Sequence, residues 1–156
     1  MDKLKKKFPS YFSNFKLPEG AKEQKIKVFR ACRTQRVDKG SFLPSFEENN
    51  FKYYKRDDPS DPGLYSLSTY EKPKDVKRFA NTNNKFRPPY KIAKGFTEPT
   101  CGPSQRTRER KPKSKTSHVD WWIYENAKPH KYFELIGNFK EFYEDYKRER
   151  RSCCDK

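Results

Sequence analysis

The apolar positions of this chain fall into short runs separated by polar, proline-rich or glycine-rich stretches. Residues 26–33, 64–70, 90–96 and 117–125 are each rich in β-branched or aromatic side chains, which predicts four strands. Between the second and third runs, Val76, Phe79 and Ala80 share one helical face after Pro73, a residue suited to a first helical position. The pattern therefore predicts a short helix over residues 74–80.

A second helical pattern lies near the end of the chain, after Pro129. Its apolar members recur every three or four residues, with Gly137-Asn138 as the point at which the helix would break in two: Tyr132, Ile136, Phe139, Tyr143 and Tyr146. Four strands and two or three short helices in mixed order predict an α+β fold with a small mixed, partly antiparallel sheet. Regular long helices between the strands, as in a doubly wound parallel fold, are not indicated.

The same pattern divides the chain into a body and two basic terminal arms. Residues 1–24 are predicted to form a basic aromatic N-terminal arm whose rings either dock on the body or stack on bases. Residues 25–146 form the single α+β domain, and residues 147–156 form a basic C-terminal tail. We expect the ends of both arms to be disordered.

The composition indicates that aromatic side chains must form the core, because aromatic residues are 16% of the chain and all hydrophobic residues only 31%. No run approaches the ~20 apolar residues of a membrane-spanning helix. The lysine-rich start is not followed by the apolar segment of a secretory signal, so we expect a cytoplasmic protein with free thiols. No C-x-x-C spacing occurs, and we predict no metal site.

Charge points to the partner, because 37 Lys and Arg against 21 Asp and Glu leave a net charge of +16. Such a chain attracts polyanions, and each phosphate neutralised releases counterions. We expect nucleic acid, DNA or RNA, to be that partner, although no named nucleic-acid-binding motif is present. Three clusters supply the candidate binding residues: Lys5, Lys6 and Lys7; Arg106, Arg108, Arg110, Lys111, Lys113 and Lys115; Arg148, Arg150 and Arg151. The competing interpretation is that the middle cluster is a solvated loop and that most rings are core.

A second hypothesis rests on the strands V-F-R-A-C-R at residues 28–33 and Y-S-L-S-T-Y at residues 65–70. With the short helix that follows, they resemble the signature strands of ADP-ribosyltransferases, which cradle NAD in a split α+β sheet. The resemblance implies that Arg30 contacts a phosphate of NAD and that Ser68 lines the nicotinamide pocket. It also implies a catalytic carboxylate. Since the family's E-x-E or Q-x-E motif is absent, the candidates are Asp120, Glu125 and Glu109.

Three function classes therefore remain open at this stage. The leading one is a binder of phosphate-rich partners without a cofactor, and the runner-up is a transferase or toxin that uses NAD. The third is an interaction subunit of a ribonucleoprotein or defence complex, whose arms order only on assembly. Phosphate-binding loops of the P-loop and dinucleotide type are missing from the sequence, as are zinc-protease and hydrolase motifs. The oligomeric state is left open by the sequence.

Overall fold

The computed structural model describes residues 6–83 and 90–154. Six strands are present in them: β1 (Lys27–Cys32), β2 (Leu67–Tyr70), β3 (Lys91–Phe96), β4 (Ser104–Arg106), β5 (His118–Trp121) and β6 (Phe133–Leu135). They form one sheet in the order β4-β5-β2-β1-β3-β6, and each of the five pairings is antiparallel. The longest pairing joins β1 to β3, with Lys27 opposite Phe96 and Phe29 opposite Lys94.

Four α-helices accompany the sheet: α1 (Ser45–Glu48), α2 (Pro73–Asn83), α3 (Thr107–Arg110) and α4 (Phe139–Cys154). Helix α2 begins at Pro73, where the missing N–H leaves no hydrogen bond unmade. Its Asp75 is buried and accepts hydrogen bonds from the backbone N and the Oγ of Ser117, at 2.9 and 2.7 Å. This contact fastens the start of α2 to the chain just before β5. Short 3-10 turns fill several connections: Ser10–Asn14, Lys39–Ser41, Pro62–Tyr65, Pro99–Cys101 and Pro129–Tyr132.

The core lies on both faces of the sheet. On one face Val28, Leu67, Val119 and Trp121 form the largest buried cluster, together with neighbouring loops. The other face is covered by α2, and its buried residues are Ala31, Val76, Ala80 and Ile92. Successive strand residues point to opposite faces, so a short strand such as β1 serves both clusters.

A third cluster is made almost entirely of rings, as the composition predicted. Phe46, Tyr65 and Trp122 are its buried members, and rings from the N-terminal segment pack against them: Phe8, Tyr11, Phe12 and Phe15. Phe15 stacks on Tyr65 with ring centroids 4.5 Å apart. The described part of the predicted arm, residues 6–24, therefore docks its rings on the body. Lys5 lies outside the described residues.

The predicted α+β class is confirmed, and so are β1, β2, β3 and helix α2, with small differences at their ends. The predicted helix after Pro129 is wrong in its first half. Residues 129–132 form a 3-10 turn and 133–135 form β6, because edge pairing of Phe133 with Gly95 outweighs the helical spacing. The boundary at Gly137-Asn138 is confirmed, since Asn138 Oδ1 accepts from the backbone N of Glu141 at 3.0 Å and α4 begins there.

Two further segments differ from their predicted form. The strand expected over residues 117–125 is regular only over His118–Trp121, after which Trp122 and Tyr124 donate backbone N–H groups to Pro103 and Cys101. The basic stretch 105–116, expected as a charged loop, contains the end of β4 and all of α3. The basic tail begins within α4, which continues to Cys154.

Candidate nucleic-acid interface

A groove of about 620 Å³ lies on the sheet where β1 and β3 meet the segment that leads into β6. Aromatic and lysine side chains from these three pieces of chain line it: Lys27, Phe29, Lys94, Phe96, Lys131 and Tyr132, with Val28, Gly95, Phe133 and Glu134. Lys27 faces Phe96 across the β1–β3 pairing, and Phe29 faces Lys94. Lysines and aromatic rings therefore alternate both along each of these two strands and across the pairing between them.

Gly95 makes the narrow base of this groove possible. A side-chain Cβ at that position would collide with the carbonyl oxygen of Tyr132 and would lie 2.6 Å from Cγ of Phe133. Only a residue without Cβ lets the segment before β6 approach β3 this closely. The approach places the Tyr132 ring beside that of Phe96, with centroids 5.6 Å apart.

The rings of the groove carry cations above their faces. Lys25 Nζ lies 4.1 Å from the ring centroid of Phe96. The ring of Phe29 meets that of Phe142 of α4 edge-on, with centroids 5.7 Å apart. Lys94 Nζ lies 5.7 Å from the Phe142 centroid. Tyr132 is 37% exposed, which leaves part of its ring open to a ligand. Such a surface offers stacking and positive charge together, the combination that binds unpaired bases.

The groove is cationic because its lysines are scarcely neutralised. Lys27, Lys94 and Lys131 of the lining are exposed, and so is Lys25 beside Phe96. The acidic residue in the lining is Glu134, which pairs with Lys94 at 3.6 Å. Both side chains of that pair are largely in water, where an ion pair contributes little and leaves the lysine available to a phosphate.

Some members of the three predicted basic clusters form ion pairs with acidic residues, and others remain exposed. Arg106 donates Nε and Nη2 to the two carboxylate oxygens of Glu71, at 2.9 and 3.0 Å, and Lys111 pairs with Asp61 at 3.5 Å. Lys6 pairs with Glu23 at 2.9 Å. The remaining members described by the structure are exposed: Lys7, Arg108, Lys113, Lys115, Arg148, Arg150 and Arg151. The densest basic stretch of the sequence is thus partly occupied with internal pairs.

Arg110 is engaged most deeply, in a buried polar network around Asp120. Its Nη2 donates to Asp120 Oδ2 at 3.0 Å and its Nη1 donates to Gln105 at 2.9 Å. Ser66 Oγ and Thr107 Oγ1 donate to the same carboxylate at 2.6 and 2.7 Å. Asp120 is 1% exposed, so these donors replace the water that the carboxylate loses on folding.

Electrostatics keep this carboxylate ionised. Burial alone raises the pKa of Asp120, but His118, the Ser66 hydroxyl, Arg110 and Thr107 together outweigh it and lower that pKa. His118 lies 3.8 Å from Asp120 and its Nδ1 is 2.5 Å from Thr107 Oγ1. Burial lowers the pKa of His118 and Arg110 adds to this effect, while Asp120 acts in the opposite direction and offsets only part of it. The network thus joins the Asp120 carboxylate, the Arg110 guanidinium and the His118 imidazole.

The four residues of the transferase hypothesis are only partly brought together. Ser68 lies opposite Asp120 in the β2–β5 pairing, and its carbonyl oxygen accepts from Arg30 Nη1 at 2.9 Å. Arg30 is buried, and it also donates to the Ser41 carbonyl and pairs with Glu48 at 3.2 Å. Its guanidinium therefore faces internal acceptors. Glu125 is exposed and lines a different cavity of about 590 Å³. Glu109 lies in α3 and accepts from the backbone N of Arg106.

Neither a metal centre nor a membrane span is found in the described ranges. No group of three or more histidine, cysteine or acidic side chains within residues 6–83 and 90–154 has the geometry of a metal site. In the same part of the chain, no helix combines the length and apolar character needed to cross a bilayer.

No protein-family model, curated protein or solved structure shows significant similarity to the chain. Sequence reasoning missed the residues that line the groove, because the three lysines of the lining, Lys27, Lys94 and Lys131, lie on three separate segments. The alternation of lysines with buried Ile26 and Val28 along residues 25–28 is the signal that marks them, since it assigns the lysines to one exposed face.

Proposed function

We propose that this protein binds nucleic acid and that the groove between β1, β3 and the segment before β6 is the binding surface. The observation that carries the proposal is the alternation of lysine and ring across the β1–β3 pairing, at Lys27 with Phe96 and at Phe29 with Lys94. Lysines attract phosphates and release their counterions, while rings stack on bases. A groove built for a small apolar ligand would not need three lysines in its lining.

The net charge of +16 supports the proposal at longer range, because it raises the encounter rate with any polyanion. We further propose that the protein acts in the cytoplasm, alone or as a subunit of a nucleoprotein assembly. Cys32 and Cys101 are free and buried, as thiols of a reducing compartment are. Burial raises the pKa of each to about 11, so both are protonated and unreactive at neutral pH.

Binding of a labelled oligonucleotide tests the proposal when it is measured over a range of salt. We expect log affinity to fall linearly with log salt, with a slope of about −2 to −4 for three to five neutralised phosphates. The double variant Lys27→Glu/Lys131→Glu is expected to weaken binding by about tenfold or more at ~0.15 M salt. Affinity that does not change with salt would refute the proposal.

A matched control separates the groove from general charge. Lys16→Glu/Lys55→Glu changes two exposed lysines that do not line the groove and lowers the net charge by the same four units. We expect this control to lose far less affinity than the groove variant. Equal losses in the two variants would assign binding to the overall charge and remove the role of the groove.

The transferase hypothesis gives a second proposal of lower rank, which the opposition of Ser68 and Asp120 across β2 and β5 favours. An enzyme of that kind would bind NAD and lose the binding in Arg30→Lys, a change that keeps the charge but not the fork-shaped donor set. Calorimetric titration with NAD measures this directly. Absence of heat with folded protein would end the transferase hypothesis and leave nucleic-acid binding in place.

A further inference from the structure

A second cleft with the same chemistry lies where the start of α2 faces α4. It has a volume of about 190 Å³ and is lined by cations and two tyrosines: Lys72, Pro73, Lys74, Tyr143, Tyr146, Lys147 and Arg150. Lys147 Nζ lies 4.7 Å from the ring centroid of Tyr143, and the Arg150 guanidinium lies 5.6 Å from that of Tyr146. Neither Tyr143 nor Tyr146 belongs to the predicted basic clusters.

An unbroken series of ring contacts joins this cleft to the groove. Phe142 borders the groove through its contacts with Phe29 and Lys94. Phe139 stacks on Phe142 at 6.2 Å and on Tyr143 at 5.9 Å, and Tyr143 lines the cleft. Lys77 of α2 adds a cation 5.1 Å from the Tyr143 centroid, at the end of this series that reaches the cleft.

Helical periodicity explains why these rings and cations share one side of α4. Positions 139, 142, 143, 146 and 150 differ by three, four, seven and eleven residues, so they fall on one stripe. Glu141, Glu144 and Asp145 fall on other faces of α4, whereas Glu149 lies seven residues after Phe142, at the edge of the stripe. Glu144 and Asp145 are neutralised within the helix. Glu144 pairs with Lys147 at 3.0 Å, and Asp145 pairs with Arg148.

We infer that a single-stranded nucleic acid is the ligand, and that it runs from the groove over Phe142 and Tyr143 into the cleft. The inference rests on the proposed function and deepens it. Half-buried rings gain stacking energy only from unpaired bases, because the bases of a duplex are already stacked on each other. A single strand can also adapt its path to separate elements such as the sheet and α4, whereas a duplex with a persistence length of ~150 base pairs is stiff.

The path from the groove over Phe142 and Tyr143 into the cleft is called the track below. Oligonucleotide length distinguishes binding in the groove alone from binding along the whole track. A strand of about four nucleotides fills the groove, and one of about twelve also reaches the cleft, both within the range of single-strand sites. The salt slope of the longer strand is expected to be about twice as steep, since the cleft adds Lys74, Lys147 and Arg150 as phosphate partners. A duplex of the same length is expected to bind at least about tenfold more weakly than the single strand.

The decisive variant is Lys74→Glu/Arg150→Glu, with Lys52→Glu/Arg56→Glu as the matched control. The control changes one exposed lysine and one exposed arginine that do not line the cleft. We expect the cleft variant to weaken the twelve-nucleotide strand by about tenfold and to leave the four-nucleotide strand within about twofold. Tyr146→Leu is expected to weaken the longer strand alone, without a change in salt slope, because it removes a ring and no charge.

The outcomes distinguish this inference from the proposed function. If the four-nucleotide strand binds through the groove and the cleft variant binds the longer strand normally, the track is wrong and the function stands. Equal affinity for single strand and duplex would also overturn the track. Displacement of the strand by polyglutamate at equal charge concentration would overturn the inference as well, because it would show that any acidic chain fits. If neither strand binds beyond the level of the groove variant, the proposed function itself fails.

Discussion

The two ends of the sheet use their positive charges in opposite ways. At the β4–β5 end, Arg106 and Arg110 are paired with Glu71 and Asp120, and the acids are half-buried or buried. At the β1–β3–β6 end, the lysines are exposed and Glu134 is the carboxylate beside them. The density of basic residues along a sequence therefore does not measure the cationic surface of the fold. Pairing decides which charges remain for a partner.

The difference follows from burial. A carboxylate that is removed from water requires donors or a cation, and Asp120 obtains both from Arg110, Thr107 and Ser66. Arg110 also lies over Trp122, with 5.8 Å between the guanidinium carbon and the ring centroid. The cation is therefore held by the core and is removed from the binding surface. No comparable buried acid faces the lysines among the residues that line the groove.

Removal of the buried carboxylate gives the largest expected effect. Asp120→Ala leaves Arg110, a half-buried cation, without its acid partner and removes the carboxylate that Ser66 and Thr107 share as acceptor. We expect the free energy of unfolding to fall by about 3–5 kcal/mol, as for other broken buried pairs. Chemical denaturation followed by fluorescence of Trp121 and Trp122 measures it.

The exposed pair at the other end of the sheet is the matched control. Glu134→Ala breaks the ion pair with Lys94, whose two side chains are both exposed. We expect a change of at most about 1 kcal/mol in stability, together with equal or tighter binding of nucleic acid. If Asp120→Ala and Glu134→Ala lowered the free energy of unfolding by similar amounts, the proposed difference between the two ends of the sheet would be wrong.

The sequence predicted the class of the fold and three of its strands because their runs of β-branched and aromatic residues lie between strong turn residues. It could not predict β6, since Tyr132 and Ile136 fit a helical stripe, and only the pairing of Phe133 with Gly95 decides for a strand. The groove was missed for a related reason. Lys27, Lys94 and Lys131 are far apart in sequence, and the β1–β3 register alone brings the first two to one surface.

The sequence also named residues whose role depends on burial. Asp120 and Arg110 belong to one network, although the pattern of residues assigned one to catalysis and the other to phosphate binding. Arg30 stands on β1 as predicted, but Ser41 and Glu48 reach its guanidinium from the loop and helix that follow. Such long-range pairings are not encoded in spacing, so they appear only in the structure.

The next largest effect is expected from the loss of an aromatic ring in the groove. This change distinguishes the contribution of base stacking from that of charge. Tyr132→Ala removes a ring that is 37% exposed beside Phe96, and we expect it to weaken single-strand binding by about 1–3 kcal/mol. The salt slope should not change, because no cation is lost. Tyr54→Ala is the control, since Tyr54 is 67% exposed and does not line the groove. A change of slope in Tyr132→Ala would contradict the assignment of this ring to stacking.

A smaller effect is expected from pH, because the pKa values of both histidines are lowered in the folded chain. Burial is the first cause for each, and an unfolded histidine takes up its proton near pH 6.5. The unfolded state therefore binds more protons as the pH falls through 6.5, and the free energy of unfolding decreases. Denaturation at about pH 7.5 and 5.5 measures this decrease.

His118 belongs to the Asp120 network, whereas His130 lies beside Lys131 near the groove. Substitutions of the two histidines therefore test opposite ends of the sheet. His118→Gln is expected to flatten the pH dependence more than His130→Gln, because burial, with Arg110, Arg30 and Lys111, opposes protonation of His118 and Asp120 offsets only part of this effect. The readout is the difference in stability between the two pH values within each variant. Stability that rises on acidification would be the opposite sign and would show that His118 is charged in the folded state.

The smallest effect is expected where the sequence is most basic. Lys113→Glu/Lys115→Glu lowers the net charge by four units, as Lys27→Glu/Lys131→Glu does, but its residues lie beyond α3 and do not line the groove. At ~0.15 M salt, charges more than about 8 Å from the bound strand are largely screened, so we expect less than about threefold loss of affinity. At ~0.01 M salt the screening length is about 30 Å, and the two variants should approach each other. Equal losses at both salt concentrations would mean that every exposed cation contributes alike. Convergence at low salt alone would show that position on the fold, and not the number of charges, makes the groove the binding surface.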